Sequence, residues 1–135
     1  MSNIRLPARI EDLERFMQFV STCATGQGFT QERMKEIELA LEEALVNIFN
    51  YAYPDQPTGE VEVRCKMDDN TSFIIEILDT GIPFDIQSIS EPDLDASISE
   101  RKIGGLGIFL IREMVDKVHY RRDGDSNILT LVFKK

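Results

Sequence analysis

The sequence changes its periodicity at Pro54, and this change constrains the fold more than any other feature. Before Pro54, apolar residues recur at the three- and four-residue intervals of amphipathic helices. After it come four runs rich in β-branched and aromatic residues, which two short polar turns join in pairs. With a short strand-like run at the N-terminus, this order predicts an α+β domain. An antiparallel or mixed sheet would be covered on one face by helices.

The element bounds follow from local patterns. The predicted strands cover residues 2–6, 60–67, 72–78, 118–122 and 128–133, and the turns 68–70 and 123–126 close two hairpins. The predicted helices cover residues 8–24 and 31–53, with Thr30 as the N-cap of the second, and a third helix follows the Gly-rich turn in GGLGIFLIREMVDKV, residues 104–118. The positions that would face the core in the first helix are Ile10, Leu13, Phe16, Met17 and Val20. Residues 80–102 show no sustained period, and a loop of about 20 residues is typical of a lid or a binding loop.

The length and charge of the chain restrict its classes of function. Its 135 residues suit one domain, 1–135, and 15 basic against 24 acidic residues give a net charge of −9. This charge argues against non-specific binding to nucleic acid or to an anionic membrane. No apolar run approaches the roughly 20 residues of a membrane span, and charge comes too early for a signal peptide. Cys23 and Cys65 lack zinc-ligand spacing, so we interpret them as structural thiols of a cytoplasmic protein.

The second predicted helix places polar side chains along the edge of its apolar face. On a helical projection, Glu43, Asn47 and Asn50 share one stripe. A buried Asn needs a partner, because an unsatisfied polar group costs about 1–3 kcal/mol. The amide oxygen of Asn47 suits Mg²⁺, and the carboxylate of Glu43 suits deprotonation of a hydroxyl or water. The alternative is a solvated helix edge.

The stretch LDTGIPFD, residues 78–85, has the chemistry of a base-binding turn. Asp79 ends a predicted strand, and Gly81 would let the backbone approach a ligand closely. An ionised Asp accepts hydrogen bonds only, which suits an exocyclic amine such as that of adenine. The alternative is an Asp-turn, in which the side chain bonds its own backbone.

The stretch IGGLGIFLI, residues 103–111, places three glycines at the start of a predicted helix: Gly104, Gly105 and Gly107. Their N–H groups and the positive end of the helix dipole would attract an anion. The stretch is not a P-loop, since GxxxxGK[ST] is absent, and Leu110 stands where the Rossmann pattern needs a third Gly. The alternative is a flexible hinge.

These motifs, in this order, resemble the GHKL ATPase superfamily. Within it, EALVNIFNYAY, DTGIPFD and GGLGIFLI look most like the anti-sigma-factor serine/threonine kinases of bacterial partner-switching pathways. The resemblance implies a Bergerat-type two-layer α/β sandwich with a mixed sheet, and ATP and Mg²⁺ bound between the helices and the lid. It implies a sigma factor and a small antagonist protein as partners, and it suggests a homodimer.

The same resemblance implies roles for residues around the base and the metal. Asn47 would coordinate Mg²⁺, and Glu43 would be the general base. Asp79 would bind the adenine amino group, with Gly81 beneath the ring. Thr130, on the final strand, would lie near adenine.

The phosphate end of the nucleotide would use the glycines and the lid. The phosphates would lie against Gly104, Gly105 and Gly107. A basic lid residue would face the terminal phosphate; Arg101 and Lys102 both qualify, and Lys102 is favoured. Tyr51 departs from the family, which often has His at this position.

Two functions can use such a pocket. The first is an ATP-dependent protein serine/threonine kinase that phosphorylates the antagonist and in another state sequesters a sigma factor. The second is a nucleotide-gated binding module without kinase turnover, in which ATP orders the lid. The presence of Glu43 favours the kinase. A detached sensor-kinase ATPase domain is a weaker alternative, because no phosphoacceptor-His helix accompanies the domain in this sequence.

Overall fold

The computed structural model describes residues 1–54, 59–69, 71–83 and 111–135. Most of the predicted lid and the whole glycine stretch before residue 111 lie outside the described residues. The predictions for Arg101, Lys102, Gly104, Gly105 and Gly107 therefore stay predictions.

The described strands form one five-stranded sheet. They are β1 (Ser2–Pro7), β2 (Glu60–Asp68), β3 (Ser72–Asp79), β4 (Lys117–Asp123) and β5 (Ser126–Lys134). Their order across the sheet is β1-β2-β3-β5-β4, and every pairing is antiparallel. The predicted α+β class and both hairpins are confirmed. Of the two sheet types that we considered, the antiparallel sheet is present, and the mixed sheet is wrong for the described strands.

Strand β3 shows why one face of the sheet is buried. Successive side chains of a strand point to opposite faces. Accordingly Phe73, Ile75 and Ile77 are fully buried, whereas the alternate residues are half-buried. The antiparallel register aligns this inward series with inward residues of β2 and β5, and together they form the floor of the core.

Two helices cover that floor. They are α1 (Leu13–Ala24) and α2 (Gln31–Tyr51), and residues 111–114 are also helical. Buried residues of both helices, such as Phe16 and Leu41, join the inward residues of the sheet in one hydrophobic cluster. The N-cap prediction is confirmed, since Thr30 Oγ1 accepts a hydrogen bond from the Arg33 N–H at 3.1 Å.

The first predicted helix begins later than the pattern indicated. Residues Ile10–Asp12 form a 3₁₀ turn, and α1 starts at Leu13. Ile10 is 58% exposed, so its placement in the core is wrong. Asp12, instead, is buried and accepts hydrogen bonds from Arg9 and Arg15. The predicted helical spacing holds from Leu13 onward. In the preceding 3₁₀ turn, Asp12 rather than Ile10 is buried.

The second helix ends at Tyr51, two residues before the predicted end. Tyr53 explains the difference, because its hydroxyl donates to Glu60 O at 2.6 Å and accepts from the Thr80 N–H at 2.9 Å. These bonds fasten the exit of α2 to the start of β2 and the end of β3. The chain must leave the helix for the ring to reach both strands.

Two features of composition can be compared with the structure. Cys65 is buried and Cys23 half-buried, and both are free thiols. Burial and the neighbouring Cys23 raise the pKa of the Cys65 thiol, as expected for an unreactive structural cysteine. Within the described residues, neither helix has the length and apolar composition needed to cross a bilayer.

Arg33 joins α2 to the C-terminal part of the chain. Its guanidinium lies over the Phe133 ring, 5.3 Å from the centroid, and Nη1 donates to Met114 O at 2.7 Å. Nη2 also bonds the carboxylate of Asp116, whose Oδ2 accepts from the Lys134 N–H at 2.7 Å. Arg33 thus anchors the end of the helical segment 111–114 to the start of α2.

We expect Arg33→Ala to lower the free energy of unfolding by about 1–3 kcal/mol, because a partly buried acceptor and a carboxylate lose their donor. The matched control is Arg15→Ala, whose side chain is 64% exposed and pairs with Asp12 at 3.4 Å. This control should lose less than about 1 kcal/mol. Urea denaturation measures both values, and equal losses would contradict the anchoring role of Arg33.

Candidate functional site

A pocket of about 440 Å³ lies between the C-terminal half of α2 and one end of the sheet. Its lining residues are Ala44, Asn47, Ile48, Tyr51, Ala52, Asp79, Ile82, Tyr120, Asn127 and Leu129. A mainly apolar wall with a few polar groups is typical of small-molecule sites. The pocket brings together two residues that the sequence predicted, Asn47 and Asp79, although they come from different elements.

Asp79 is the last residue of β3 and points to the helix side of the sheet. Its side chain is buried, and Oδ1 accepts from the Gly81 N–H at 2.9 Å and from Asn127 Nδ2 at 2.8 Å. The predicted Asp-turn is therefore present. Among the described residues, Oδ2 has no hydrogen-bond donor, so one oxygen of the carboxylate remains available to a ligand in the pocket.

The surroundings of Asp79 favour its neutral form. Burial raises the pKa of this carboxyl, and the hydrogen bonds from Asn127 and Gly81 and the positive charge of Arg122 offset part of that effect. A desolvated carboxylate with an open acceptor atom is unfavourable for an empty domain. It is suited to a ligand that brings a hydrogen-bond donor.

Asn127 is the residue that the sequence analysis missed. It is the second residue of β5, pairs with Asp79 across the sheet and is 5% exposed. Its Nδ2 also donates to Ile82 O at 2.8 Å, and its Oδ1 accepts from Tyr120 Oη at 2.5 Å and Arg122 Nη1 at 3.1 Å. The predicted strand 128–133 alternates inward residues at 129, 131 and 133. Extending that alternation back by two residues would have indicated Asn127.

The same alternation corrects the prediction for Thr130. Thr130 pairs with Glu76 and His119, and its neighbour Leu129 lines the pocket instead. Because successive strand residues face opposite sides, Thr130 lies on the sheet face away from the helices. The structure does not bring Thr130 to the pocket, and Asn127 occupies the corresponding place beside Asp79.

Gly81 is fixed by close packing against the end of α2. A Cβ at this position would lie 2.1 Å from the carbonyl oxygen of Ala52, and the next residue, Ile82, donates its N–H to the same oxygen at 2.9 Å. The chain after β3 therefore passes directly against the helix end. This packing by itself accounts for glycine at position 81, and a contact beneath an adenine ring stays a prediction.

Asn47 occupies the predicted position on α2. It is 6% exposed, and its Nδ2 donates to the carbonyl oxygen of Glu43 at 2.8 Å. A carbonyl oxygen can only accept, so this bond assigns Nδ2 to the helix backbone and leaves Oδ1 as the free end of the amide. Oδ1 has no hydrogen-bond donor among the described residues. Asn50, by contrast, is exposed, as the alternative of a solvated helix edge describes.

Glu43 lies one turn before Asn47 and is half-buried. Burial, and to a lesser extent the charge of Glu42, raise the pKa of the Glu43 carboxyl. No described residue forms an ion pair or a hydrogen bond with this carboxylate. Glu43 does not line the pocket that contains Asn47 and Asp79. The role of Glu43 as a general base stays a prediction.

The metal prediction was tested against the side chains that are present. In the described part of the chain no three His, Cys, Asp or Glu residues are grouped as a metal site. Mg²⁺ often takes one or two protein ligands and shares the rest with phosphate and water. A single buried amide oxygen without a partner, that of Asn47, fits this mode of binding.

The comparisons with known proteins agree with the fold. A family model described as a histidine kinase-like ATPase domain matches residues 6–133. The serine-protein kinase RsbW of Listeria monocytogenes is 29% identical over 132 residues, covering 94% of this chain and 83% of that protein. RsbW of Halalkalibacterium halodurans is 31% identical over 122 residues, covering 87% of this chain and 74% of that protein.

Solved structures give the same architecture. The RsbU and RsbW domains from Mycobacterium tuberculosis match with a TM-score of 0.65 at 11% identity, over 99% of this chain. The match spans 32% of that solved chain. A histidine kinase domain from Erythrobacter litoralis matches with a TM-score of 0.59 at 18% identity, over 90% of this chain and 60% of its own.

The sandwich of antiparallel sheet and helices, with its pocket at the end of α2, defines a domain of the GHKL class. The chain belongs to the family of histidine kinase-like ATPase domains. The resemblance that the sequence motifs indicated is thereby confirmed.

We expect Asp79→Asn to stabilise the ligand-free protein increasingly as the pH rises. A raised pKa means that the folded state holds the proton more tightly than the unfolded state. The stabilisation is therefore present in acid and is lost as the pH rises through the folded-state pKa of Asp79. The Asn variant lacks that loss. Its free energy of unfolding, relative to wild type, should grow between about pH 4, the ordinary pKa of Asp, and neutral pH.

Denaturation curves across this pH range measure the difference. The control is Asp123→Asn, whose partner Arg121 is 3.7 Å away and whose side chain is 72% exposed. This control should show little pH-dependent difference. A difference for Asp79→Asn that is constant or shrinks with rising pH would contradict the effect of burial on Asp79.

Proposed function

We propose that this protein is an ATP- and Mg²⁺-dependent serine/threonine protein kinase that acts as an anti-sigma regulatory factor. The observation that carries the proposal is that one pocket presents two buried oxygens, Asp79 Oδ2 and Asn47 Oδ1, that no described residue bonds. Family membership and similarity to serine-protein kinases over 94% of the chain support the same conclusion.

Adenine would occupy the pocket beside Asp79. The free oxygen of the carboxylate would accept a hydrogen bond from the exocyclic amine, and the apolar wall formed by α2 and β5 would contact the ring. Tyr51 also lines this wall, at the position where the family often has His. Gly81 lets the backbone after Asp79 pack against the end of α2, and this packing fixes the position of the turn beside the pocket.

Asn47 would hold the metal. When bound, Mg²⁺ would neutralise charge on the phosphates. Asn47 Nδ2 is held by the Glu43 carbonyl, so its Oδ1 is already oriented and little conformational entropy is lost on binding. By resemblance, Gly104, Gly105 and Gly107 would contact the phosphates, and Lys102 rather than Arg101 would face the terminal one.

Glu43 would take the proton from the acceptor hydroxyl. Its raised pKa makes it a better base than an exposed Glu, since efficiency improves as the pKa approaches the working pH. Its position outside the adenine pocket, one turn from Asn47, suits contact with a protein substrate rather than with the base.

The acceptor would be a serine of a small antagonist protein, and a sigma factor would be the second partner. We also infer a homodimer and a cytoplasmic location from the family resemblance. The net charge of −9 supports the view that neither nucleic acid nor membrane is bound directly.

A nucleotide-gated binding module is the second candidate. The observation that favours it is the bond from Asn127 Nδ2 to Ile82 O, because the same amide bonds Asp79. Through Asn127, a contact between adenine and Asp79 would be linked to the backbone at Ile82. A module of this kind would bind ATP and a partner without transferring phosphate, so the two candidates differ in turnover.

We expect Asn47→Ala to abolish the Mg²⁺ dependence of ATP binding, since the variant lacks the only predicted protein ligand. Loss of a residue that only hydrogen-bonds a metal ligand lowers metal affinity by roughly 10- to 100-fold. Loss of a direct ligand should lower the affinity for Mg-ATP by at least as much. Asn50→Ala is the matched control, because Asn50 lies on the same helix but is exposed. Calorimetric titration with ATP, with and without Mg²⁺, measures both variants, and unchanged affinity for Asn47→Ala would refute the metal assignment.

We expect Glu43→Gln to bind Mg-ATP normally but to lose phosphoryl transfer by about 10²- to 10⁴-fold, the contribution of a general base. The matched control is Glu42→Gln, since Glu42 is the adjacent, exposed residue. Transfer from labelled ATP to a purified antagonist protein, and to the same protein with its acceptor Ser replaced by Ala, measures the rate. Binding of ATP and partner without transfer in the wild type would instead support the binding module.

A further inference from the structure

Asn127 uses both ends of its amide. Nδ2 donates to Asp79 Oδ1 and to Ile82 O, each at 2.8 Å, with Gly81 O at 3.4 Å. Oδ1 accepts from Tyr120 Oη at 2.5 Å and from Arg122 Nη1 at 3.1 Å. A side chain that is 5% exposed and satisfied on both ends is rigid.

The partners of Asn127 allow one orientation of the amide. Arg122 can only donate, so it must face the amide oxygen, and the carbonyl of Ile82 can only accept, so it must face the amide nitrogen. A flipped amide would set donor against donor and acceptor against acceptor. Arg122 is itself fixed, because Nη1 also donates to Gly81 O at 2.8 Å.

The fixed amide determines which oxygen of Asp79 is open. Oδ1 is held by Asn127 Nδ2 and the Gly81 N–H together. Rotation of the carboxyl group would break both bonds, so Oδ2, which no described residue bonds, keeps its position in the pocket. Adenine presents an amino donor on the edge where guanine presents the O6 acceptor. A fixed carboxylate oxygen attracts the first group and repels the second.

We propose that Asn127, held by Arg122 and Tyr120, is the positioning residue that makes this pocket selective for adenine over guanine. The proposal rests on the proposed function, because it assumes that Asp79 contacts the base. Asn127 acts through Asp79 and needs no contact with the nucleotide.

Loss of Asn127 changes both the orientation and the protonation of Asp79. Without the Nδ2 donor, the carboxyl can rotate, and a hydrogen bond that lowers its pKa disappears. A protonated Asp79 can donate to guanine O6, so the variant should lose preference as well as affinity. In the wild type, ATP binding should weaken in acid as Asp79 takes up a proton. In the variant, the same weakening should begin at a higher pH.

The experiment compares Mg-ATP and Mg-GTP affinities by calorimetry for the full chain, three variants and one control variant. We expect Asn127→Leu to lower the ratio of ATP to GTP affinity at least tenfold. Tyr120→Phe and Arg122→Met each remove one donor to Asn127 Oδ1, and the ratio should fall by about 2- to 12-fold, the value of one hydrogen bond. Arg121→Met is the matched control, because Arg121 is the exposed neighbour on the opposite face of β4 and should leave the ratio unchanged.

The outcomes separate this proposal from the proposed function. A wild type that binds neither nucleotide overturns both. A wild type that binds Mg-ATP without preference over GTP leaves ATP binding intact and overturns the selectivity role alone. Equal losses of ATP and GTP affinity in the variants, with an unchanged ratio and pH profile, would show that Asn127 is merely structural. Should Asn127→Leu fail to fold, Tyr120→Phe decides the question, since it removes one hydroxyl and keeps the ring.

Discussion

The alternation of β3 is the constraint on which both the core and the site depend. Phe73, Ile75 and Ile77 point to the helix side and are fully buried. Asp79 is the next residue in that series. The alternation that points the apolar side chains into the core therefore also points the Asp79 carboxylate to the helix side. A shift of one residue in register would move the hydrophobic series to the outer face and Asp79 with it. Packing of the core therefore fixes the position of the site.

Helix α2 shows the same relation between core and site. Its buried residues Ile37, Leu41 and Leu45 seat one face on the sheet, and Asn47 lies at the margin of that face. The helix rotation that the core requires turns Asn47 toward the end of β3. Asn47 and Asp79 come from distant parts of the sequence. They line the same pocket because each follows the buried apolar residues of its own element on the same side.

The sequence predicted those features that depend on local periodicity. Both hairpins, the cap at Thr30, and the placement of Asn47 along the edge of the core face of α2 follow from spacing alone. Errors arose where contacts outside the local pattern are made: Asp12 rather than Ile10 is buried and forms ion pairs, and Tyr53, outside α2, bonds β2. Thr130 failed for another reason. Resemblance implied that it lies near adenine, but the parity of β5, which could have been read from the sequence, turns Thr130 away from the helix side, where Asn127 lies beside Asp79.

The hydrogen bonds of the buried polar groups in the pocket bear on the kind of ligand that we propose for it. Buried polar groups in proteins are nearly always paired, and Asn127 meets that rule at each end of its amide. Within the described residues, Asp79 and Asn47 depart from the rule at one oxygen each, although Asp79 Oδ1 and Asn47 Nδ2 are hydrogen-bonded. Both atoms are acceptors, so the ligand that we propose would bring a hydrogen-bond donor to Asp79 and a donor or cation to Asn47. The burial that raises the pKa of Asp79 makes its ionised form unfavourable until such a donor arrives, and binding affinity is gained at the expense of stability in the free protein.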